Sequence, residues 1–228
     1  MIMPGWDKLP DSMRNERVRK YYDMLCKKQT SLIIKRTFDI AVSFLLLILL
    51  CPVFVCIAIL IKRDSKGPVI FSQTRVTSFD RDFTIYKFRS MVERAPELGS
   101  EVTVANDMRI TKIGAILRKY RLDELPQLVN VLKGDMSFVG TRPEVRKYVD
   151  AYSPEMMATL LMPAGITSVA SIKYKDEDRL LENADDADLV YIKRILPDKM
   201  RYNLKSLRRF SLIGDLCTMA RTVLEVLM

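Results

Sequence analysis

Asp123 and Glu124 are adjacent carboxylates in a chain of 228 residues that has no histidine. Arg118, Lys119 and Arg121 stand just before them and Pro126 just after. Two further groups bring basic side chains, Lys87-Phe88-Arg89-Ser90-Met91 and Gly140-Thr141-Arg142-Pro143-Glu144. Without histidine, Ser-His-Asp catalysis, Cys-His catalysis and histidine-ligated zinc are excluded. Chemistry must rest on Asp, Glu, Lys and Arg, with or without a metal. Taken alone, an Asp-Glu pair more often caps a helix and loads its first turn with negative charge than does chemistry. The basic groups elsewhere in the chain give the pair its chemical interest.

Several elements would have to position these residues. Gly67-Pro68 is a turn signal, and residues 69–75 and 83–89 read as two strands around a polar turn at 78–81. Lys87 and Arg89 then close the second strand. Residues 92–107 read as a loop with one short helix. Residues 108–120 read as a helix, with Ile110, Ile113, Ile116 and Leu117 on one stripe and Arg118 near its end. Pro126 suits the first turn of another helix, which Gly134 would end, and Arg142 lies in the loop beyond it. Residues 153–163, rich in Met and Leu, have the composition to lie flat on lipid. The acidic stretch 176–188 reads as a solvated helix or loop. From residue 202 the pattern is helical, with Leu207, Ile213, Leu216, Ala220 and Val223 on an apolar side, as a core or an interfacial helix. Residues 1–30 are polar, with a short helix over 12–27, and read as a mobile or surface-lying extension.

Residues 40–61 form an uncharged apolar run of 22 residues with Pro52 inside it. As a straight helix it would be roughly 33 Å long, enough to cross a bilayer. A core helix of that length would ordinarily carry a charge. A cleaved signal peptide would start earlier, be shorter and end in small residues. Lys35 and Arg36 precede the run, and Lys62, Arg63 and Lys66 follow it, so both ends favour the cytoplasmic side. Pro52 clashes with the carbonyl of Ile48 and removes one ladder donor. From the residues alone, a kinked span and a re-entrant helix turning at Cys51-Pro52 both remain open.

Lys and Arg number 37 against 28 Asp and Glu, a net charge of +9. Beside an apolar run this excess fits an anionic lipid surface or phosphorylated ligands. Nucleic acid is not expected, since no zinc-finger spacing or aromatic RNA-binding signature accompanies the charge. Cys26, Cys51, Cys56 and Cys217 form no C-x-x-C pair and read as reduced packing residues. No G-x-G-x-x-G and no P-loop occurs among the eight glycines.

Taken together, these groups resemble the bacterial sugar transferase family, the monotopic polyprenyl-phosphate phosphoglycosyl transferases. The resemblance rests on the basic pair and apolar run over 35–61, on 87–91, on 122–127 and on 132–143. Pro163-Ala164-Gly165-Ile166-Thr167 and Ile195-Leu196-Pro197-Asp198-Lys199 extend it, so that it covers residues 33–225. It implies an α+β, mainly helical fold: an extension over 1–30, a re-entrant membrane helix over 31–65, and a small cytoplasmic catalytic domain over 66–228 with a β-hairpin and interfacial amphipathic helices.

It also implies an enzyme of the bacterial inner membrane. A nucleotide-diphospho-sugar, most commonly a UDP-sugar, gives its sugar-phosphate to a polyprenyl phosphate such as undecaprenyl phosphate, and UMP leaves. This is the first membrane step of a surface glycan pathway. The resemblance assigns the nucleophile to Asp123, with Glu124 as partner for metal binding or for the acceptor's proton. Lys87, Arg89, Arg118 and Arg142 would bind phosphate oxygens, and Asp123 and Glu124 would hold Mg²⁺. The partners implied are the nucleotide-sugar donor, the polyprenyl phosphate acceptor and a phospholipid membrane; a homodimer is compatible with them.

The chain departs from the family pattern in three places. Cys51-Pro52 replaces a common Ser-Pro, Gly140-Thr141-Arg142-Pro143 replaces Gly-Pro-Arg-Pro, and 168–178 differ from the Gly-Trp-Ala-Gln type. A thiol bonds freed backbone groups poorly, which bears on the bend, and the lost proline would loosen the turn holding Arg142. The rival reading is a non-catalytic membrane-surface scaffold. Such a protein has no need of Asp123, Glu124, Arg118 and Arg142 together.

Overall fold

The computed structural model describes residues 1–93, 107–181 and 186–227. Helix α1 (Glu16–Cys26) leads into α2 (Gln29–Leu49) and α3 (Cys51–Asp64), followed by a hairpin of β1 (Ile70–Thr77) and β2 (Arg81–Phe88). Next come α4 (Lys112–Lys119), a 3-10 turn (Leu122–Glu124), α5 (Gln127–Lys133) and β3 (Met136–Val139). A short α6 (Arg146–Val149) and a 3-10 segment (Met156–Leu161) precede β4 (Ala164–Thr167). Three short helices follow, α7 (Val169–Lys173), α8 (Glu177–Leu180) and α9 (Ala187–Val190). A π turn (Tyr191–Ile195) then runs into α10 (Leu196–Arg208), and α11 (Leu212–Leu227) closes the described chain. Among the described residues the architecture is mainly helical α+β with two small sheets. The expected loop over 92–107 lies largely outside the described residues, as does part of the acidic stretch 176–188.

The hairpin is antiparallel, in register from Ile70 opposite Phe88 to Thr77 opposite Arg81. At its tip Phe79 and Asp80 take left-handed φ angles of 58° and 57°. Arg146 holds that tip, bonding the backbone oxygen of Asp80 at 3.0 Å and the carboxylate of Asp82 at 2.6 Å. The second sheet, β3 beside β4 in parallel, has no counterpart in the sequence reading. Four-residue strands buried nearly throughout carry no alternation to recognise. Gly140 and Gly165 make this pairing feasible: a Cβ on Gly165 would stand 2.1 Å from the backbone nitrogen of Gly140.

Helix α4 is shorter than the 108–120 pattern, because Thr111 caps it by accepting from the Gly114 amide at 3.0 Å. Helix α5 ends where expected, with Gly134 at φ 97°. The expected C-terminal helix is two helices, α10 and α11, broken at residues 209–211.

Two expectations are corrected by packing. Residues 1–30 do not form a mobile or surface-lying arm. Leu9, Met13, Val18, Tyr21 and Leu25 are buried against Val76, Leu207 and Phe210. Their other partners are Met157, Leu160 and Leu161, from the stretch expected to lie on lipid. Each segment alone presents an apolar face with nothing in its own sequence to say what covers it; each is the other's cover. Truncating Met13, fully buried, to Ala should cost roughly 2–5 kcal/mol.

Among the described residues no single helix is long and apolar enough to cross a membrane; α2 and α3, bent by 61°, reach that length and composition only as a pair. Helix α2 stops at Leu49, Leu50 leaves helical geometry at φ −88° and ψ 2°, and Pro52 then sits in the first turn of α3. There its missing N–H is one of the donors a helix start leaves free anyway. The sequence break at Cys51-Pro52 is thus realised at the junction just before it. The outward sides of the bend are apolar and exposed, including Phe44, Leu45, Ile48, Leu49, Val55 and Ile59. Below it, α2 is moored. Lys35 pairs with Asp215 of α11 at 2.6 Å, and Arg36 donates to the Val131 and Leu132 carbonyls at the end of α5 at 2.6 and 2.9 Å. These two residues, counted from the sequence as flanking charges, are docking contacts.

Candidate active site

The 3-10 turn places Asp123 and Glu124 between α4 and α5. Arg121 enters it in a left-handed conformation, φ 52°, which reverses the chain sharply after α4. For a residue with a Cβ this costs about 1–2 kcal/mol, a strain of the kind that persists where a site requires it. Both carboxylates are buried. Strand β2 delivers Lys87 from one side and the loop after β3 delivers Arg142 from another.

Despite its threonine, that loop is firmly held. The Gly140 amide donates to the Thr167 carbonyl at 3.0 Å, and the Gly165 amide to the Thr141 carbonyl at 2.9 Å. Arg75 reaches the Pro143 carbonyl at 3.4 Å, and the Val76 amide donates to the Glu144 carbonyl at 2.9 Å. The turn expected to loosen is pinned from β1 and β4.

The two neighbouring carboxylates are treated oppositely. Oε1 of Glu124 accepts from Lys87 Nζ at 3.2 Å and from Arg142 Nη2, and Arg142 Nη1 lies 3.4 Å from Oε2. Arg121 stands 3.9 Å from Oε2. Burial opposes the charge on Glu124, but Arg142, Lys87 and Arg121 outweigh it and hold the acid far below the usual carboxylate range. Glu124 in turn holds Arg142 firmly protonated. Burial pushes Lys87 down, against the pull of Glu124.

Asp123, by contrast, has no hydrogen bond or ion pair to its side chain among the described residues. Burial and the charge of Glu124 push its pKa up, while Lys87, Arg118 and Arg142 pull it partly back. A buried carboxylate with free oxygens and cations nearby has the chemistry to act as a nucleophile or a metal ligand.

The sequence-predicted residues divide accordingly. Lys87, Asp123, Glu124 and Arg142 converge. Arg118, half-buried on the last turn of α4, acts on Asp123 through space and makes no ion pair with either carboxylate among the described residues. Arg89 does not join them: it donates to Ser65 at the end of α3, at 2.8 Å to the carbonyl and 3.0 Å to the hydroxyl. Its Nε and Nη1 are buried without a partner among the described residues. Cys51 and Pro52 lie on the bent helical pair.

The sequence reading missed Arg121 as a site cation. The signal was present in its spacing, three residues before Glu124, but only the left-handed turn brings it there. It also missed Arg75, whose charge reaches Lys87.

Magnesium can be weighed against this donor set. Among the described residues no cluster of three or more Asp, Glu or Cys side chains could cage a metal. Mg²⁺ does not require one, since it keeps several waters and uses one or two carboxylates with substrate phosphates. Asp123 fits that role with free oxygens. Glu124 is committed to its cations and fits only as a neighbour.

A family model described as bacterial sugar transferase matches residues 30–228. A UDP-N-acetylgalactosamine-undecaprenyl-phosphate N-acetylgalactosaminephosphotransferase of Aeromonas hydrophila is 38% identical over 197 residues, covering 85% of this chain and 44% of its own. A UDP-glucose:undecaprenyl-phosphate glucose-1-phosphate transferase of Escherichia coli (strain K12) is 41% identical over 170 residues, covering 71% of this chain and 36% of its own. An undecaprenyl-phosphate galactose phosphotransferase of Salmonella typhimurium is 37% identical over 165 residues, with 66% and 34% covered. The chain spans less than half the length of each of these relatives.

Proposed function

The chain belongs to the bacterial sugar transferase family, and from that premise we propose that it moves a sugar-phosphate from a UDP-sugar to undecaprenyl phosphate or a similar polyprenyl phosphate, through a phosphosugar bound to Asp123. The observation that carries this reading is the contrast at residues 123 and 124. Glu124 organises three cations, and Asp123 beside it is left open.

In the first half-reaction an Asp123 carboxylate oxygen attacks the sugar-side phosphorus. The bond from that phosphorus to the bridging oxygen breaks, and UMP leaves with both electrons. In the second, a phosphate oxygen of the polyprenyl phosphate attacks the same phosphorus. The Asp123 oxygen–phosphorus bond breaks, giving polyprenyl-diphospho-sugar and free carboxylate. Both partners of each step are anionic, so positioning and charge neutralisation must supply most of the rate. Arg142 and Lys87 would take non-bridging phosphate oxygens with the donors that Glu124 leaves open. Arg121 and Arg118 add positive potential. Glu124, bonded to both Lys87 and Arg142, would hold them beside the pyrophosphate. Asp123, with Glu124 beside it, would hold Mg²⁺ against the donor. When bound, the ion would neutralise pyrophosphate and the departing UMP.

The bent pair α2–α3 would be the re-entrant membrane element, dipping into the cytoplasmic leaflet of the bacterial inner membrane and returning. Its exposed apolar sides, and the apolar row Ile213, Leu216 and Val223 on α11, support this placement. The charged head of an acceptor with an insoluble chain would meet the site at the headgroup level. In a cysteine-free background, Thr30→Cys and Lys66→Cys should label from one face; labelling from opposite faces would refute re-entry.

The activity is tested by UMP release across a panel of UDP-sugars with Mg²⁺ and polyprenyl phosphate. The reading predicts release with at least one sugar and none in Asp123→Asn. No release with any sugar would favour a scaffold. The relatives named above act on N-acetylgalactosamine, glucose and galactose, so the panel begins with those three.

A further inference from the structure

The turn that carries Asp123 and Glu124 rests on α3, the second arm of the bent pair. Ile57 and Ile61 of α3 are buried with Phe88 of β2 and Leu117 of α4, and Ile113, Leu122 and Leu125 pack against the same cluster. Apolar packing of this kind brings elements close but has no direction, so it does not by itself fix how one lies on the other. Polar contacts at the end of α3 do. Asp64, the last residue of that helix, accepts from the Ile113 amide of α4 at 3.0 Å through Oδ2. Beside it, the carbonyl and hydroxyl of Ser65 accept from Arg89 Nη2.

Asp64 thus caps a helix to which it does not belong. The first amides of a helix have no partner within it. In α4, Thr111 accepts from the Gly114 amide and Asp64 from the Ile113 amide. The second is a charge-assisted bond from a half-buried carboxylate at the positive end of the helix. At the other end of α4, backbone bonds run on into the site. The Arg121 amide donates to the Arg118 carbonyl at 3.1 Å, and the Glu124 amide to the Arg121 carbonyl at 3.2 Å. Lys87 and Arg142 have fastenings of their own, one in the β1–β2 ladder and the other in the loop held at Thr167. A shift of α4 on α3 would therefore carry Asp123 away from cations that stay where they are.

We propose that Asp64 is a positioning residue for the transfer reaction: by holding the Ile113 amide it fixes α4 on α3, and through α4 the turn from which Asp123 attacks. The idea rests on the sugar-phosphate reading above for the reaction it serves. Its physical content is alignment. An attacking atom misplaced by about 1 Å can cost on the order of 10²-fold in rate. A purely structural role makes a different forecast. A weakened fold leaves fewer active molecules, each working at the normal rate, whereas misalignment leaves every molecule able to react and slows each one. Charge alone makes a third forecast. Asp64→Asn would then be as poor as Asp64→Ala, although its amide oxygen can still accept from Ile113.

The test is single-turnover formation of the Asp123 adduct from the UDP-sugar with Mg²⁺, in the full chain, which separates rate from amplitude. Asp64→Ala should form the adduct about tenfold to a hundredfold more slowly, with full amplitude and unchanged half-saturation by the UDP-sugar. Asp64→Asn should stay within about threefold of wild type, since it keeps the bond and loses only its charge assistance. The wild-type rate in Asp64→Ala overturns the proposal. So does a lowered amplitude at the normal rate, or an Asp64→Asn as slow as Asp64→Ala. If Asp64→Ala fails to fold, Asp64→Ser, with a side chain too short to span to the amide, takes its place under the same forecasts. Hydrogen exchange needs no turnover. In Asp64→Ala, and not in Asp64→Asn, exchange should speed up at the Ile113 amide and across residues 121–125. Unchanged protection across 121–125 overturns the positioning role whatever the reaction. Faster exchange there, in a protein whose wild type forms no adduct and releases no UMP, would count against the sugar-phosphate reading and for the role of Asp64 in holding the turn.

Discussion

Two buried ion clusters flank the loop that carries Arg142, and their charge balance runs in opposite directions. Around Glu124, the positive groups Lys87, Arg121 and Arg142 approach one paired carboxylate, with Arg118 acting on its open neighbour Asp123. Around Lys199, one ammonium serves the two carboxylates Glu144 and Glu177 and a phenol closes the circuit. In the second cluster the one ammonium is fully engaged by two carboxylates and the Tyr191 phenol; it is a fastening. The first has surplus positive charge and, in Asp123, a carboxylate without an ion pair among the described residues, which suits it to an anionic substrate. Burial and salt bridges are common to both, so neither marks function. Charge left uncompensated does.

The comparison breaks most severely at Asp123. Asp123→Asn should lose activity by on the order of 10³-fold or more, as nucleophile removals do. It should also raise Tm. The Asp123 pKa is raised on folding, by burial first and Glu124 second. Its stabilising contribution is therefore present below the unfolded pKa and lost as pH rises through the folded one, and at neutral pH the wild type carries a buried charge at a cost. Asparagine removes that cost. A variant both inactive and less stable would mean that Asp123 is fastened like Glu144.

Arg142→Lys comes next, with about a 10²-fold loss in kcat/KM, because a lysine keeps the charge but not the fork. Retained activity would show that Arg142 supplies only field. A smaller and sharper test is the pH profile. The acid limb of kcat/KM should lie above the usual aspartate range, since Asp123 must be ionised to attack. Arg118→Gln should shift that limb to still higher pH, because Arg118 is one of the cations pulling Asp123 down. A limb that stays put would remove Arg118 from the site. The smallest effect belongs to the fastening cluster. Glu177→Gln leaves the Lys199–Glu144 pair intact and should cost about 1 kcal/mol of stability or less, with activity within about threefold.

How far these clusters could be read beforehand follows their sequence spacing. The hairpin was legible from alternation and its turn, and α5 from Pro126 and Gly134, because those signals are local. The Asp-Glu pair, Lys87 and Arg142 were legible as members of a recurring set. Arg121 was not, since its approach to Glu124 depends on a left-handed residue that no propensity predicts. Arg89, placed by type among the phosphate binders, bonds Ser65 instead. Lys35 and Arg36 illustrate the same limit: charge next to an apolar run reads as a membrane flank, and only tertiary packing shows them bound to Asp215 and to the end of α5. The burial of residues 1–30 against 153–163 was out of reach because each segment's partner lies more than a hundred residues away.

The central claim is that Asp123 carries the sugar-phosphate between donor and acceptor. Its most direct test is intact-protein mass spectrometry after incubation with Mg²⁺ and the UDP-sugar that supports turnover, in the absence of polyprenyl phosphate. The account predicts a mass increase equal to one sugar-phosphate, mapping to the peptide that contains Asp123, absent from Asp123→Asn and discharged when polyprenyl phosphate is added. UMP release with acceptor present but no such adduct, together with turnover in Asp123→Asn, would contradict it.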